Sequence, residues 1–272
     1  MQLCFSTLVC PNWTLPQIVG AAAAHGIGGV DFRGLANDID ITKHPLFDAD
    51  LAATLDLFAQ HQLQMPCFNT SVTLVSPAPE RWQMMLDECH RYAALAGRTG
   101  TKLLRIFGGG LPKDMSRAEA TILAQRHLRQ VVKVCAAQGC CPVVETHDDW
   151  STSNSVMQLV DGFEPGEVGI LWDVEHPFRR GESARETADA LRPFLRHIHI
   201  KDSIRREGKS LPRLLGEGEL PLKDLLAAMR AVDYDGWICL ETEKRWHPQE
   251  APEPEASVPQ FVRFMKENWA KE

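Results

Sequence analysis

A short apolar run, a polar loop and a longer amphipathic stretch follow one another eight times along this chain of 272 residues. In the longer stretches apolar residues recur at steps of three and four, and a glycine often closes them. This alternation predicts β-strands separated by α-helices. The predicted strands are LCFSTLV (3–9), GGVDFRG (28–34), QMPCFNT (64–70), KLLRIFGG (102–109), CPVVETH (141–147), VGILWDVEH (168–176), RHIHIKD (196–202) and GWICLETE (236–243).

Eight strand–helix units in a chain of this length predict a closed (β/α)₈ barrel, formed as a single domain over residues 1–272. An open, doubly wound parallel sheet is the alternative. It is disfavoured because no GxGxxG motif follows the first strand, and GIGGVD precedes a strand instead of opening a helix.

Net charge and composition argue against a nucleic-acid-binding, secreted or membrane protein. The formal net charge is −7, whereas proteins that hold a nucleic-acid backbone usually carry the opposite sign. The first residues, MQLCFSTLVCPNWTL, lack the basic segment and apolar run of a signal peptide, and no stretch is long enough to span a membrane. The eight cysteines show no CxxC spacing, which favours reduced, buried thiols. We therefore expect a cytoplasmic protein without nucleic-acid or membrane partners, and leave open whether it forms a homo-oligomer.

Donor side chains stand near the carboxyl ends of the last four predicted strands, where barrels of this class carry their catalytic groups. These donors are a carboxylate at Glu145, a carboxylate at Asp173, an imidazole at His199 and a carboxylate at Glu241. Three carboxylates around one cavity would repel each other unless a cation neutralised them. Oxygen donors with one imidazole suit Mn²⁺, Mg²⁺ or Co²⁺, with Zn²⁺ as a further candidate.

Each of these residues also has a purely structural interpretation. A histidine in a strand is often a hydrogen-bonded core residue, and carboxylates after a strand often cap the next helix. Capping fits Asp148 and Asp149, which precede WSTSNSVMQLV, better than it fits Glu145 inside its strand. The metal-site hypothesis depends on four successive strands each ending in a donor.

The segments VVETH, WDVEH, HIHIKD and CLETE, in this order, resemble the metal-site strands of the xylose-isomerase-like TIM barrels. The opening FSTLVCPNWTLPQIVGAAAAHGIGGVDFRG and the segment LGEGELPLKDLL are also similar to that superfamily. It includes sugar and sugar-phosphate isomerases, ketose 3-epimerases, inosose dehydratases and repair nucleases of the endonuclease IV type. The resemblance extends along essentially the whole chain.

The resemblance implies roles for individual residues. Glu145, Asp173, His199 and Glu241 would be the ligands of one divalent ion, with manganese as the first expectation. Glu145 and Glu241 would also be the acid–base pair. His176, three residues after Asp173, would contact the substrate. Arg205, six residues after His199, would help to hold the second carboxylate or the sugar.

Other residues at this end of the barrel keep two interpretations. His197 lies on the same strand face as His199, one step deeper, where a packing role is expected. Lys201 would meet an anionic substrate group or pair with Asp202 or Glu243. His147 would bind a substrate hydroxyl or act as a hydrogen-bond partner at a helix start. The loop IFGGGLPKD, with Lys113, would cradle an anion or simply let the chain leave the barrel.

The chemistry that such a site supports is proton abstraction next to a carbonyl, with a carboxylate on each side of the substrate. Proton return to the same carbon gives an epimer, and return to the neighbouring carbon gives an aldose–ketose isomer. We therefore expect a metal-dependent isomerase or epimerase acting on a small carbohydrate or its phosphate. Loss of a β-hydroxyl from the same intermediate would give a dehydratase of a keto-inositol or related compound, which is the alternative.

Two rival functions are disfavoured by particular segments. The repair nucleases bind additional metal ions through histidines after strands three and four, where this chain has CFNTS and RIFGGG. Their later histidine pair is also missing from DSIRREGKSLPRLLGEGE. A barrel that binds a ligand without turnover would be expected to have lost at least one of the four ligands, and all are present here.

Overall fold

The computed structural model describes residues 1–269 as strands and helices alternating along the chain. The strands are β1 Gln2–Ser6, β2 Gly29–Asp31, β3 Cys67–Thr73, β4 Leu103–Phe107, β5 Cys141–Glu145, β6 Gly169–Asp173, β7 Leu195–Ile200, β8 Asp202–Arg206, β9 Lys209–Arg213 and β10 Trp237–Leu240. The α-helices are α1 Leu15–His25, α2 Leu51–Gln60, α3 Pro79–Thr99, α4 Arg117–Ala136, α5 Ser153–Val160, α6 Glu175–Arg179, α7 Ala184–Leu191, α8 Leu222–Ala231 and α9 Pro254–Trp269. Short 3₁₀ turns lie at Thr7–Val9, Ile41–Lys43, Pro45–Phe47 and Asp148–Trp150.

Eight of these strands form one sheet in the order β2-β1-β10-β7-β6-β5-β4-β3. The last of these eight strands along the chain, β10, pairs in parallel with the first along the chain, β1. A closed barrel requires this pairing, and an open doubly wound sheet does not. At the other edge of β2, a parallel bridge joins Gly29 to Gln64, three residues before β3 begins. The sheet is therefore a nearly closed barrel of eight parallel strands, which confirms the predicted (β/α)₈ fold class.

Contacts divide the chain into two compact units, of which one comprises Met1–Pro66 and Ile198–Glu272. Its core includes a cluster of three phenylalanines, in which the ring of Phe32 lies 4.8 Å from that of Phe47 and 6.0 Å from that of Phe58. The Phe32–Phe47 contact is edge to face, and contacts of this kind stabilise aromatic clusters beyond the area that they bury.

The other unit, Cys67–His197, contains a hydrophobic cluster of residues from β3, β5 and β6. Cys67, Val143 and Leu171 are fully buried against each other. Outside the sheet, α3 and α4 contact through a stack of Trp82 on His127, with ring centroids 3.7 Å apart. The start of α4 is marked in the sequence, because Ser116 and Glu119 form a reciprocal capping box there.

One element of this fold is absent from the sequence-based prediction. Strands β8 and β9 form an antiparallel hairpin that leaves the barrel directly after β7. The buried carboxylate of Asp202 anchors it by accepting hydrogen bonds from the backbone amides of Ser203, Gly216, Gly218 and Leu220. A side chain at Gly218 would collide with that carboxylate, so the Gly-x-Gly segment serves this close approach.

The expectation that Asp148 and Asp149 cap the helix after β5 is wrong. Thr152 caps α5 in a reciprocal box with Ser155, while Asp148 and Asp149 lie in the preceding 3₁₀ turn. Among the described residues, every helix is too short or too polar to cross a membrane.

Candidate metal centre and active site

The four donors expected at the strand ends come together in the structure. Glu145 ends β5, Asp173 ends β6, His199 lies one residue before the end of β7, and Glu241 directly follows β10. One donor atom from each lies within 4.8 Å of the other three, and all four residues are buried. We call these four residues the mouth cluster. Three carboxylates and one imidazole are a donor set that suits a hard divalent ion, so the residues present fit the expected metal.

Glu145 is held by an arginine that the sequence analysis did not single out. The Nε atom of Arg105, at the middle of β4, lies 3.4 Å from Glu145 Oε2, and both side chains are almost fully buried. Arg105 donates to the carbonyl of Thr70 at 3.0 Å, and its guanidinium lies 3.8 Å from the centroid of the Phe107 ring. Because its position is set by these other contacts, Arg105 both orients Glu145 and offsets its charge.

Asp173 is fixed by its own backbone and by Thr146, the residue after β5. The Thr146 hydroxyl accepts from the Asp173 amide at 2.9 Å and donates to the Asp173 carbonyl at 3.2 Å. Asp173 Oδ1 accepts from the amide of Glu175 at 2.9 Å at the start of α6. Its other oxygen, Oδ2, lies 3.7 Å from Nε2 of His176.

Two partly exposed histidines lie beside Asp173. The rings of His147 and His176 meet edge to face, with centroids 4.4 Å apart, and each keeps about a third of its side chain exposed. Burial disfavours protonation of His147, but the carboxylates of Asp148, Glu145 and Asp173 outweigh it and raise the pKa of His147 above its ordinary value. Both imidazoles are therefore accessible from solvent beside a buried carboxylate.

His199 and Glu241 contact each other directly. His199 Nδ1 lies 3.2 Å from Glu241 Oε1, and His199 Nε2 lies 3.8 Å from Oδ2 of the buried Asp31 at the end of β2. A carboxylate behind a metal-binding imidazole commonly fixes its ring orientation and tautomer. Asp31 lies on this side of the His199 imidazole, at a distance longer than a hydrogen bond, and the sequence analysis had assigned it no role.

Lys201 resolves one of the open alternatives. Its ammonium lies 3.0 Å from Glu241 Oε2 and 2.8 Å from Glu243 Oε1, and the side chain is nearly buried. The Lys201 charge lowers the pKa of the Glu243 carboxyl far below its usual range. Lys201 thus links Glu241 to Glu243, and Asp202 is instead committed to the amides of the Gly-x-Gly segment.

Arg205 lies on the hairpin that follows β7, with an exposed side chain. Its backbone amide donates to Glu219 at 3.2 Å. The resemblance offered Arg205 for holding the second carboxylate or the sugar. In the structure Lys201 contacts that carboxylate, Glu241, so contact with substrate is the role that stays a prediction for Arg205.

The glycine-rich loop after β4 is shaped by packing. A side chain at Gly108 would collide with Trp150, and one at Gly109, where φ is +95°, would collide with Thr73. The amide of Leu111 already donates to the Asp149 carboxylate at 2.6 Å. These contacts favour the interpretation of the glycine run as a tight exit from the barrel over that of an anion cradle.

The model of the xylose isomerase-like TIM barrel family matches residues 19–268. The chain belongs to this family. The resemblance inferred from VVETH, WDVEH, HIHIKD and CLETE is thereby confirmed.

Among sequence relatives of this xylose isomerase-like barrel is a candidate hydroxypyruvate isomerase of Streptomyces coelicolor. It is 25% identical over 213 residues, which are 75% of this chain and 74% of the relative. An inosose dehydratase of Bacillus velezensis is 27% identical over 108 residues, which are 34% of this chain and 36% of that relative. The chain therefore matches only about a third of the dehydratase's length.

Solved structures share the fold of this xylose isomerase-like barrel. The D-allulose 3-epimerase from Methylomonas sp. in complex with D-allulose has a TM-score of 0.78 at 16% identity, covering 98% of this chain and 97% of that one. The IOLI protein with a bound zinc atom has a TM-score of 0.79 at 16% identity, covering 98% of this chain and 96% of that one.

Proposed function

We propose that this protein is a divalent-metal-dependent isomerase or epimerase of a small sugar or sugar phosphate. The observation that carries the proposal is the mouth cluster, in which buried donor atoms of Glu145, Asp173, His199 and Glu241 lie within 4.8 Å of one another. Membership of the xylose isomerase-like family and the similarity to a candidate hydroxypyruvate isomerase support an enzyme of this class.

The four residues of the mouth cluster would hold one ion, with Mn²⁺ as the first expectation and Mg²⁺, Co²⁺ or Zn²⁺ as alternatives. When bound, such an ion polarises the substrate carbonyl and stabilises the negative charge that develops on its oxygen. Glu145 and Glu241 would exchange the carbon-bound proton, one removing it and the other returning it. In the sheet order, β6 and β7 lie between the strands that carry these two glutamates, which suits a substrate held between them.

The protein cations beside each glutamate serve the same chemistry. Arg105 next to Glu145 and Lys201 next to Glu241 direct the two carboxylates. The glutamate that starts the cycle as the anion would remove the proton, and the other would start protonated so that it has a proton to deliver. His176 and His147 would hydrogen-bond to substrate hydroxyls, because their partly exposed imidazoles lie beside Asp173. Arg205 on the hairpin would contact the distal end of the substrate.

A second candidate function is a dehydratase, and the similarity to inosose dehydratases favours it. After proton removal next to the carbonyl, the carbon–oxygen bond at the β-position breaks, and the hydroxyl leaves as water after accepting a proton. The same two glutamates and His176 would supply that chemistry. The outcomes differ in product, since the dehydratase releases water and the isomerase does not.

A substrate panel in D₂O tests the proposal. Metal-loaded protein is incubated with ketoses, aldoses, inososes and their phosphates, and products are followed by proton NMR and mass spectrometry. We expect deuterium at one carbon next to the carbonyl of a ketose or aldose, with epimer or isomer formation and unchanged elemental composition. The matched controls are Glu145→Gln, which removes one base, and Glu167→Gln, which changes an exposed glutamate just before β6, at the opposite end of that strand from Asp173.

Three outcomes decide between the candidates. Deuterium incorporation lost in Glu145→Gln and retained in Glu167→Gln supports the isomerase or epimerase. A product lighter by one water, formed from an inosose, establishes the dehydratase. Equal deuterium incorporation in wild type and Glu145→Gln, with the metal site occupied in both, would overturn the proposed role of the mouth cluster.

A further inference from the structure

A second group of buried donors lies deeper in the barrel than the mouth cluster. Cys4 in β1, Asp31 at the end of β2, His197 in β7 and Cys239 in β10 are all fully buried. One donor atom from each lies within 4.8 Å of the other three. We call these four residues the inner cluster.

The strand register accounts for this convergence. Cys4 and Cys239 are direct partners in the parallel pairing of β1 with β10. Ser6, two residues beyond Cys4, pairs with Asp31 on β2. His197 precedes His199 by two residues and therefore points to the same side of β7. The closure of the barrel thus brings the four side chains into one space.

The donor types distinguish this group from the mouth cluster. Two thiols, one imidazole and one carboxylate are ligands of tetrahedral zinc, and the two sulfur donors are too soft for Mn²⁺ or Mg²⁺. Zinc–sulfur bonds of about 2.3 Å place two sulfurs about 3.8 Å apart in a tetrahedron. The spread of at most 4.8 Å among the four donor atoms is within about 1 Å of that requirement.

We propose that Cys4, Asp31, His197 and Cys239 form a structural Zn²⁺ site, separate from the ion of the mouth cluster. All four tetrahedral positions are filled by protein and the residues are sealed from solvent, so the zinc has no open position for a substrate. Its effect is on the barrel itself: it joins β1, β2, β7 and β10, including the pair of strands that closes the sheet.

The two clusters meet at Asp31. Besides its place in the inner cluster, its Oδ2 atom lies 3.8 Å from Nε2 of His199, a member of the mouth cluster. Zinc bound to Asp31 would fix the position of this carboxylate beside His199. Carboxylates behind metal-binding histidines commonly orient the imidazole ring. The inner site therefore stabilises the geometry of the outer one without contacting substrate.

Cobalt substitution tests the inner site directly, because only this cluster contains sulfur. The full-length chain is produced in zinc-depleted medium supplemented with Co²⁺, and its absorption spectrum and metal content are measured. We expect two metal equivalents per chain and an intense near-ultraviolet thiolate-to-cobalt charge-transfer band. The band should vanish in Cys4→Ser/Cys239→Ser and persist in Cys67→Ser, which changes another fully buried strand cysteine, and in Glu145→Ala.

Two results would overturn the proposal. One is a cobalt-loaded wild type without the charge-transfer band, a measurement that stands even if the double variant does not fold. Another is a thiol count, taken on denatured and unreduced protein, that shows Cys4 and Cys239 joined in a disulfide. Enzyme activity enters none of these readouts, so failure of the proposed isomerase function would leave this test intact.

Discussion

The mouth cluster and the inner cluster share a strand, a strand face and a carboxylate neighbour, yet they differ in chemistry. His199 and His197 are two residues apart on β7, and both are fully buried. Around His199 stand three carboxylates, with the cations of Arg105 and Lys201 beside two of them. Around His197 stand two thiols and one carboxylate.

The difference lies in the partners that neighbouring strands supply at each depth. At the carboxyl ends the chain supplies hard oxygen donors and partly exposed histidines such as His176, as a substrate-binding metal site needs. One step deeper it supplies soft donors sealed from solvent, which suit an ion that never exchanges ligands. A buried histidine on a barrel strand therefore takes its role from its depth and its neighbours.

The largest effect expected is on turnover after removal of a base from the mouth cluster. Glu145→Gln and Glu241→Gln keep the shape of the side chain and one oxygen donor but lose the basic oxygen. Turnover should fall by roughly 10²–10⁴-fold, the usual contribution of a general acid–base group. Steady-state rates, measured on protein whose metal content has been verified, check this. Near wild-type turnover in either variant would leave that residue as a ligand only, with His176 the next candidate base.

Next in size is the effect on metal content, which separates the two clusters. Asp173→Ala and His199→Ala should each lose the metal equivalent of the mouth cluster, because each removes one of its four donors. The cobalt charge-transfer band of the inner cluster should remain in Asp173→Ala. Elemental analysis alongside the exposed-residue control Asp189→Ala gives the comparison, and full metal content in both ligand variants would refute the assignment.

A smaller effect is expected for residues that contact substrate and not metal. His176→Ala and Arg205→Ala should lower kcat/KM by about tenfold or more while metal content stays normal. The free energy of unfolding should change by no more than about 0.5 kcal/mol in Arg205→Ala, because its side chain is exposed. Arg206→Ala is the matched control, since Arg206 is the adjacent exposed residue on β8 and points to the opposite side. Equal kinetics for the two arginine variants would remove Arg205 from the site.

The smallest effect concerns His127, a buried histidine outside both clusters. Burial lowers its pKa below the ordinary value, against the opposing effect of its hydrogen bond with the Leu74 carbonyl at 2.7 Å. Because the folded state disfavours the proton, the unfolded state binds more protons at acidic pH. Stability is then lost as the pH falls below about 6.5, the ordinary pKa of histidine.

His127→Gln should flatten that acid loss of stability and leave metal content and the cobalt spectrum unchanged. Urea unfolding at several pH values between neutral and acidic measures it, with the exposed His90→Gln as control. An acid slope identical to that of wild type would show that His127 does not carry it. A lower metal content in His127→Gln would contradict the assignment of His127 as a structural residue outside both metal clusters.

The sequence alone determined the fold class, because periodicity is a local property. Each apolar run is short enough for a strand, each amphipathic stretch has the spacing of a helix, and capping pairs such as Ser116 with Glu119 mark where helices begin. The same local patterns did not predict the hairpin after β7. Its two strands pair with each other, and the carboxylate of Asp202 joins them to Gly216, Gly218 and Leu220, which lie 14 to 18 residues away in the sequence.

The four donors of the mouth cluster could also be inferred from sequence, because a barrel places the carboxyl ends of its strands at one rim and the donors stand at those ends. What only the tertiary structure decided is which side chains surround them. Arg105 contacts Glu145 from the middle of β4, and Asp31 lies near His199 at the end of β2. Lys201 pairs with Glu241 and Glu243 and not with Asp202. The same holds for the inner cluster, since Cys4 and Cys239 become neighbours only when β1 pairs with β10. Contacts across a closed barrel depend on register and depth, which no local pattern in the chain encodes.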